Sequence, residues 1–326
     1  MKATALFLLL CSSLMAYEVK VRVIDDRDRP VAGANVSVFF VKQGKSDKMI
    51  GVSGSDGLYF AYGQSTLGVD IIIECLGHYP SRVENLDNKM NHDVVVVLPR
   101  VLNPTSLFAL TAFYPKIPSP SQWYGFDFET ADWVAPHGKG KTVDVLFRYM
   151  TEFQGWRDEL VDPKERERIM ALNRARDSRL KEEWSFEKFK AEHGKWGGVL
   201  EIAFPGKEEG LAERKFTQYS EMKMLHYAPS DGYVTAWRYT TNTYFYPGSR
   251  RNVGFFLRTR VRLDKDGGVV SANYAKVYGD FAFNPATGKM SFSYYFNPVS
   301  NDRNLEFDPK RNLFPKDKQG ANVRDP

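Results

Sequence analysis

The chain has 326 residues, of which 43% are hydrophobic and 26% are charged, and its formal net charge is +5. This composition excludes a disordered or membrane-embedded chain and is typical of a globular protein. The small net charge is spread thinly, so it favours neither a nucleic-acid partner nor a membrane surface. The length suffices for two domains, and an aromatic content of 14% favours β-strands.

Residues 1–16, MKATALFLLLCSSLMA, are predicted to form a secretory signal peptide. Lys2 precedes an apolar run, and small residues end the segment at Ala16. The run is too short to span a membrane, and no later segment is long and apolar enough to act as an anchor. We therefore expect an exported protein, periplasmic or extracellular, without a transmembrane anchor. Acylation of Cys11 to give a lipoprotein is the alternative, although Leu10 stands where a small residue is usual.

Residues 17–99 are predicted to form a small antiparallel β-sandwich. The segments YEVKVRVID, ANVSVFFV, SGSDGLYFAY, GVDIIIE and HDVVVVLP are rich in β-branched and aromatic residues, and clusters of Gly, Pro and Asp separate them. Cys75 is the one thiol left after signal-peptide removal, so no internal disulfide is expected. Because it follows the apolar run Ile71–Ile73, we interpret it as a small buried hydrophobe rather than a reactive thiol.

The order of these segments resembles the carboxypeptidase regulatory-like family. The residues that carry the resemblance are Pro30, Val31, Gly33 and Ala34, then Asp56, Gly57 and Tyr59, then Gly77 and Tyr79. His78 interrupts the usual Gly-Tyr pair, and the match covers about a quarter of the chain. The resemblance implies a transthyretin-like sandwich that acts as a non-catalytic accessory module, and it supplies no catalytic residue.

The rest of the chain is predicted to be a larger antiparallel β domain. Residues 100–122 contain four Pro and are interpreted as a connector, residues 123–314 as the β-rich domain and residues 315–326 as a flexible tail. Residues 157–196 break the β pattern with a charged helical insertion. Pro163 suits the first turn of one helix, and Ser185 could cap a second that ends near Gly194. We interpret the insertion as a solvated hairpin resting on the sheet through Ile169, Leu172, Trp184 and Phe189; a partner-docking helix is the alternative.

The stretch APHGKGKT, residues 135–142, fits a relaxed phosphate-loop pattern, yet its surroundings argue against a nucleotide site. A phosphate loop needs a buried strand before it and a helix after it. The preceding segment WYGFDFE alternates as a half-solvated strand, and the following TVDVLFRYM also alternates as a strand. The turn is therefore predicted to be an exposed connection between two strands, with no nucleotide partner.

Two further chemistries remain open in this region. Asp127 and Glu129 would lie about 7 Å apart on one strand face, a spacing compatible with glycoside hydrolysis. Asp132 is a third candidate carboxylate. Alternatively, exposed rings could stack on sugars while neighbouring polar groups bind hydroxyls. The candidate ligand-binding residues are Trp123, Tyr124, Trp133, His137, Lys139 and Lys141.

No cofactor or metal site is predicted. The five His residues show no HxH or HExxH spacing, and the Asp-rich turns lack the further ligands of a calcium loop. The sequence therefore favours an exported, non-enzymatic binding or structural protein with a polysaccharide or an envelope protein as its partner. An extracellular hydrolase using Asp127, Glu129 or Asp132 is the alternative.

Overall fold

The computed structural model describes residues 16–43, 46–86, 91–217, 219–241, 250, 252–318 and 325–326. The predicted signal peptide therefore lies outside the described residues, apart from Ala16. The chain divides into two compact units. Unit 1 comprises residues 1–102 and 217–223, and unit 2 comprises residues 103–216 and 224–326. The described structure is mainly β with several antiparallel sheets, so the predicted fold class is confirmed.

In unit 1, the residues that the structure describes form a sandwich of two sheets built from seven strands. The strands are β1 (Ala16–Ile24), β2 (Asn35–Val41), β3 (Ser46–Val52), β4 (Leu58–Gln64), β5 (Gly68–Glu74), β6 (Ser81–Leu86) and β7 (Asn91–Val97). One sheet has the order β4-β1-β7 and the other has the order β3-β2-β5-β6. Strand β1 runs parallel to β7, which corrects the expectation of a wholly antiparallel sandwich.

The core of unit 1 follows the alternation seen in the sequence. Val19, Val21 and Val23 of β1 are buried together with Val and Ile side chains of β2 and β5. Cys75 is half-buried and packs against this cluster, in keeping with its interpretation as a hydrophobe. The alternating residues fit a pleated strand with one buried face, because successive side chains point to opposite sides.

An ion pair in unit 1 predicts an unusually acidic carboxyl group. The Arg100 guanidinium donates to both carboxylate oxygens of Asp26, at 2.7 and 3.0 Å. Burial acts to raise the pKa of Asp26, but the hydrogen bonds from Arg100 outweigh it and lower that pKa from 3.8 to about 2. Since the folded-state pKa is depressed, the pair stabilises unit 1 above pH 3.8, and this contribution is lost as the pH falls toward 2.

We expect an NMR titration of the Asp26 carboxyl carbon to give a pKa of about 2 in the full chain. Substitution Arg100→Gln should return that pKa toward its ordinary value. Arg22→Gln, at an exposed position on β1, serves as the matched control and should leave it unchanged. An unshifted Asp26 in the wild-type protein would contradict the pairing.

The described residues of unit 2 form ten strands, two α-helices and two short 3-10 turns. The strands are β8 (Phe108–Phe113), β9 (Tyr124–Asp127), β10 (Asp132–Trp133), β11 (Val145–Trp156), β12 (Gly194–Ala203), β13 (Gly210–Lys215), β14 (Ala236–Thr241), β15 (Val253–Leu263), β16 (Val269–Asn284) and β17 (Lys289–Asn297). The α-helices are α1 (Pro163–Leu180) and α2 (Phe186–His193), and the 3-10 turns are Asp158–Leu160 and Pro309–Arg311.

These strands form two five-stranded sheets that pack face to face. The first sheet has the order β10-β9-β11-β12-β14 and the second has the order β13-β15-β16-β17-β8. Phe126, Phe147 and Ile202 of the first sheet share a core with Phe255 and Phe292 of the second. A second apolar cluster covers the other face of the second sheet. The outer face of the first sheet is more open, as the alternating burial along β11 shows.

The helical insertion begins and ends where the capping residues predict. Asp162 caps α1, which starts at Pro163, and the Ser185 hydroxyl accepts the Lys188 N–H at the start of α2. Phe189 is buried in a small core with Leu160 and Met170, against which Ile169, Trp156 and Trp184 pack. The prediction that Leu172 rests on the sheet is wrong, since its side chain is exposed. The apolar residues of the insertion mainly cover one another.

Two predicted segments differ from the structure. Residues 100–122 are not a plain connector, because residues 108–113 form strand β8, which pairs with β17. The second is residues 315–326, which are not a wholly flexible tail. Pro326 is buried, and its backbone oxygen accepts a hydrogen bond from Lys276 at 2.9 Å. Residues 319–324 lie outside the described part of the chain.

Within the described residues, no helix is both long enough and apolar enough to cross a membrane. No group of three or more His, Cys, Asp or Glu side chains in the same residues is arranged to hold a metal ion.

Candidate functional site

The phosphate-loop-like turn is held by carboxylates of its own chain. The N–H groups of Lys141 and Thr142 donate to Oδ2 of Asp127, at 2.8 and 3.1 Å. The Lys139 N–H donates to Oδ2 of Asp132 at 2.9 Å. The segment after the turn continues into strand β11, as predicted, rather than into a helix. The amides that would surround a phosphate therefore already bind carboxylates.

Asp127 is a buried turn-organising residue rather than a half-solvated acid. Only 2% of its surface is exposed, and its other oxygen accepts the N–H groups of Glu129 and Thr130 at 2.9 and 3.3 Å. Burial acts to raise the pKa of Asp127, but the four backbone hydrogen bonds hold it below the ordinary value. A carboxylate occupied in this way is poorly suited to general acid or base catalysis.

Glu129 and the deeply buried Asp144 share the guanidinium of Arg260. Arg260 donates to the two Asp144 oxygens at 2.7 and 3.0 Å and also contacts Glu129. Asp144 further accepts the Phe128 N–H at 2.8 Å. Burial raises the pKa of Asp144, and the Arg260 guanidinium opposes that rise. Arg260 also lies 3.6 Å from Oδ1 of Asp127, so the candidate catalytic residues Asp127 and Glu129 belong to a network that joins the end of β9 and the start of β11 to β15.

Asp132 is likewise used within the turn. Its Oδ1 accepts the Trp133 N–H at 2.8 Å, while its Oδ2 accepts the Lys139 N–H. The three predicted carboxylates therefore lie near one another, yet each organises backbone or pairs with Arg260. The prediction of two solvated acids on one strand face is wrong, because β9 ends at Asp127 and Glu129 follows in a turn.

Two of the predicted ligand-binding aromatics are core residues. Trp133 is 7% exposed, packs edge-on against Phe126 and Phe147, and donates its indole N–H to the Lys116 carbonyl at 2.9 Å. Tyr124 is also buried and lies edge-on to Trp133. Their rings point inward because they alternate with residues on the outer face of the sheet, so the expectation of exposed rings here is wrong.

The remaining turn residues lie on the surface. His137, Lys139 and Lys141 are exposed, and the His137 ring packs edge-on against Tyr124 at 4.7 Å. Their contribution to a binding site stays a prediction.

Trp123 is the predicted aromatic that does reach solvent. It is 40% exposed, and the Arg148 guanidinium lies over its ring at 4.5 Å. Arg148 donates to Glu201 at 2.7 Å, and Glu201 is paired in register with Arg238 on β14. These four residues form a row on the outer face of the first sheet, running from Trp123, which directly precedes β9, across β11, β12 and β14. We call them the Trp123 row.

A shallow groove of about 300 Å³ lies beside the Trp123 row. Its lining includes Trp123, Glu201 and Arg238 together with Ala203 and Ala236, which are paired in the neighbouring register. The groove exists because short Ala side chains stand next to long Trp, Arg and Glu side chains. It presents an aromatic ring, both signs of charge and an apolar floor.

Arg148, Glu201 and Arg238 were not singled out by the sequence. The alternation in DVLFRYM and GVLEIAF does place Arg148 and Glu201 on the polar faces of their strands. The sequence does not show the strand register. In the structure, the register pairs Arg148 with Glu201 and Glu201 with Arg238, although these segments are far apart in sequence.

Comparisons with known proteins give only distant similarity. No protein-family model matches the sequence, and neither does any curated protein. A streptococcal ancillary pilin matches 47% of this chain over 46% of its own, at 13% identity and a TM-score of 0.20. A candidate carbohydrate-binding protein from Bacteroides uniformis covers 88% of this chain and 98% of its own, at 8% identity and a TM-score of 0.19. A 9R-lipoxygenase from Cyanothece covers 87% and 42%, at 10% identity and a TM-score of 0.19.

The chain thus spans less than half of the pilin structure that it matches. Similarity at these TM-scores carries no information about function.

Proposed function

We propose that this chain is an exported, non-enzymatic binding protein that holds a polysaccharide on the outer face of the first sheet of unit 2. The observation that carries the proposal is the Trp123 row beside its Ala-floored groove. The row spans three inter-strand spacings, from Trp123 at the start of β9 to Arg238 on β14, which corresponds to about 14 Å. An extended ligand lying across the strands would meet every member of it.

The chemistry of the row suits a polyhydroxylated ligand. An indole ring offers an apolar surface to the C–H face of a sugar, while Glu201 and the guanidinium groups of Arg148 and Arg238 offer acceptors and donors for hydroxyl groups. Arg148 is oriented by both Trp123 and Glu201, so part of the site is preorganised. Exposed polar groups of both signs also explain how this sheet face stays in contact with water.

The rival hydrolase has less support. Asp127 accepts four backbone hydrogen bonds, Glu129 pairs with Arg260, and Asp132 binds two backbone N–H groups. A hydrolase of this kind needs one carboxyl group that can donate a proton and another that can accept one or attack. The contacts of these three residues favour a structural role over that chemistry.

Export and the role of unit 1 belong to the same proposal. The signal-peptide pattern of residues 1–16 supports delivery to the periplasm or cell exterior. The resemblance of residues 17–99 to the carboxypeptidase regulatory-like family supports an accessory role for unit 1. Its valine-rich sandwich core is compatible with such a module.

The test is binding of the purified chain, residues 17–326, to a broad glycan array, with Trp123→Ala in parallel. We expect the substitution to weaken binding at least tenfold, because it removes the stacking surface and releases Arg148. Tyr114→Ala is the matched control, since Tyr114 is an exposed aromatic beside β8 of the other sheet. Its binding should equal that of the wild-type protein.

Two results would count against the proposal. Absence of binding to every glycan would leave an envelope protein as the candidate partner, to be sought by pulldown from envelope extracts. Equal binding by the wild type and Trp123→Ala would place the glycan site elsewhere. Unchanged unfolding curves for both variants are required before either result is interpreted.

A further inference from the structure

A second cavity lies at one end of the unit 2 sandwich, away from the Trp123 row. Its volume is about 400 Å³, within the range of small-molecule sites. Arg157, Glu192 and Trp196 line one side, and Asn284, Thr287 and Lys289 of the β16–β17 hairpin line the other. Along β12, Trp196 and Ile202 are separated by six residues, or about 20 Å. The cavity and the groove beside the Trp123 row are therefore separate places on one unit.

The hairpin wall is held in shape by hydrogen bonds. The Asn284 side chain accepts the Ala286 N–H at 2.9 Å, and the Asn284 carbonyl accepts the Gly288 N–H at 2.9 Å. Thr151 of β11 donates to the Pro285 carbonyl at 2.6 Å, which ties the turn to the opposite sheet. These bonds fix the turn before any ligand arrives.

The opposite wall presents an indole ring in a fixed orientation. Trp196 donates its N–H to the Lys190 carbonyl at 3.1 Å, and Phe153 packs edge-on against it at 5.2 Å. The ring is only partly buried, and part of it faces the cavity. Such a surface favours a ligand that has a flat or ring-shaped apolar face.

The charge around the cavity is positive. Of the charged lining residues, Lys188 is paired with Asp177 and Glu182, and Glu192 lies 3.5 Å from Arg176. Lys289 is exposed, and its bridge partner across the strands is Lys116. Throughout the described ranges, neither of these two lysines contacts a carboxylate. Lys289 itself lines the cavity, so an anion bound there would lie beside a cation that has no carboxylate partner within the described part of the chain.

We propose that this cavity binds a sugar-sized organic carboxylate, of the hexuronate class, with its carboxylate toward Lys289 and its ring toward Trp196. The positive rim selects the negative charge, and the indole selects an organic ring over a bare inorganic anion. Asn284 and Thr287 also line this space, and amide and hydroxyl side chains can bind the hydroxyl groups of a sugar. This site does not depend on glycan binding at the Trp123 row.

The test is isothermal titration of the full chain with glucuronate at low ionic strength, with glucose and inorganic phosphate as parallel probes. We expect glucuronate to bind, and to bind more tightly than either of the others. Lys289→Gln should weaken glucuronate binding about fivefold, the effect of losing one partly exposed charge pair. Trp196→Leu should weaken it by a similar factor. Lys265→Gln, an exposed lysine in the β15–β16 turn, is the matched control and should bind like the wild type.

Each contrary result overturns a defined part of the proposal. If glucuronate does not bind at millimolar concentration, the proposed site does not exist. If it binds equally to the wild type and to Lys289→Gln, the binding site lies elsewhere. If glucose bound as tightly as glucuronate, charge would not determine the specificity of the site. If inorganic phosphate bound as tightly as glucuronate, Trp196 would not contribute to binding. Trp123→Ala should leave glucuronate binding intact, so failure here and failure of the glycan proposal are distinguishable. Lys289 is exposed, so folding of its variant is not at issue.

Discussion

Replacing Arg260 with Met is expected to lower the free energy of unfolding of unit 2 by about 3–5 kcal/mol. Asp144 is fully buried, and Arg260 supplies two hydrogen bonds to it together with the compensating charge. Met retains much of the contact that the Arg260 side chain makes with the Phe296 ring, where the guanidinium lies 4.8 Å from the centroid. The loss should therefore come mainly from the uncompensated carboxylate rather than from a cavity.

All six tryptophans lie in unit 2, so urea unfolding followed by indole fluorescence measures this effect in the full chain. In Arg260→Met the pKa of Asp144 should rise further, because its counter-charge is gone. A group with a raised folded-state pKa destabilises the fold at high pH. The loss of unfolding free energy in Arg260→Met should therefore become smaller as the pH falls from neutrality toward the pKa of Asp144. Adding Asp144→Asn to the variant should recover part of the loss at neutral pH. A deficit below about 1 kcal/mol that is independent of pH would contradict the role of Arg260 as a counter-ion.

Substitution Trp133→Ala is expected to cost about 3–5 kcal/mol of unfolding free energy. The ring is nearly fully buried, contacts Phe126 and Phe147 edge-on, and holds the Lys116 carbonyl through its N–H. Removing it leaves a cavity in the centre of the aromatic core and an acceptor without its donor. The remaining tryptophans report the shift of the urea midpoint.

Trp123→Ala provides the comparison, since the two residues are both tryptophans flanking β9. Trp123 is 40% exposed and contributes chiefly a stack with Arg148, so its removal should cost no more than about 1 kcal/mol. Trp133→Ala should therefore change stability strongly and Trp123→Ala should change glycan binding strongly. If Trp133→Ala instead changed glycan binding and Trp123→Ala changed stability, then Trp133 rather than Trp123 would be the ring that contacts the ligand.

The helical insertion shows what local sequence decides. Asp162 followed by Pro163, and Ser185 three residues before Lys188, satisfy backbone N–H groups at helix starts within a few residues of chain. These interactions do not depend on the rest of the fold, so the helices could be located from the sequence. Leu172 could not be placed, because its burial depends on whether another element lies over it.

The sequence by itself determined the class of the fold, through alternating apolar residues, turn residues and helix caps, all of which act over short stretches of chain. It also identified Trp123 among the candidate aromatics. Only the tertiary structure decided which sheet face stays open, which carboxylates become buried, and which strands bring Arg148, Glu201 and Arg238 beside Trp123. Burial and cross-strand register arise from contacts between distant segments, and a strand with one polar face looks the same in sequence wherever that face ends up.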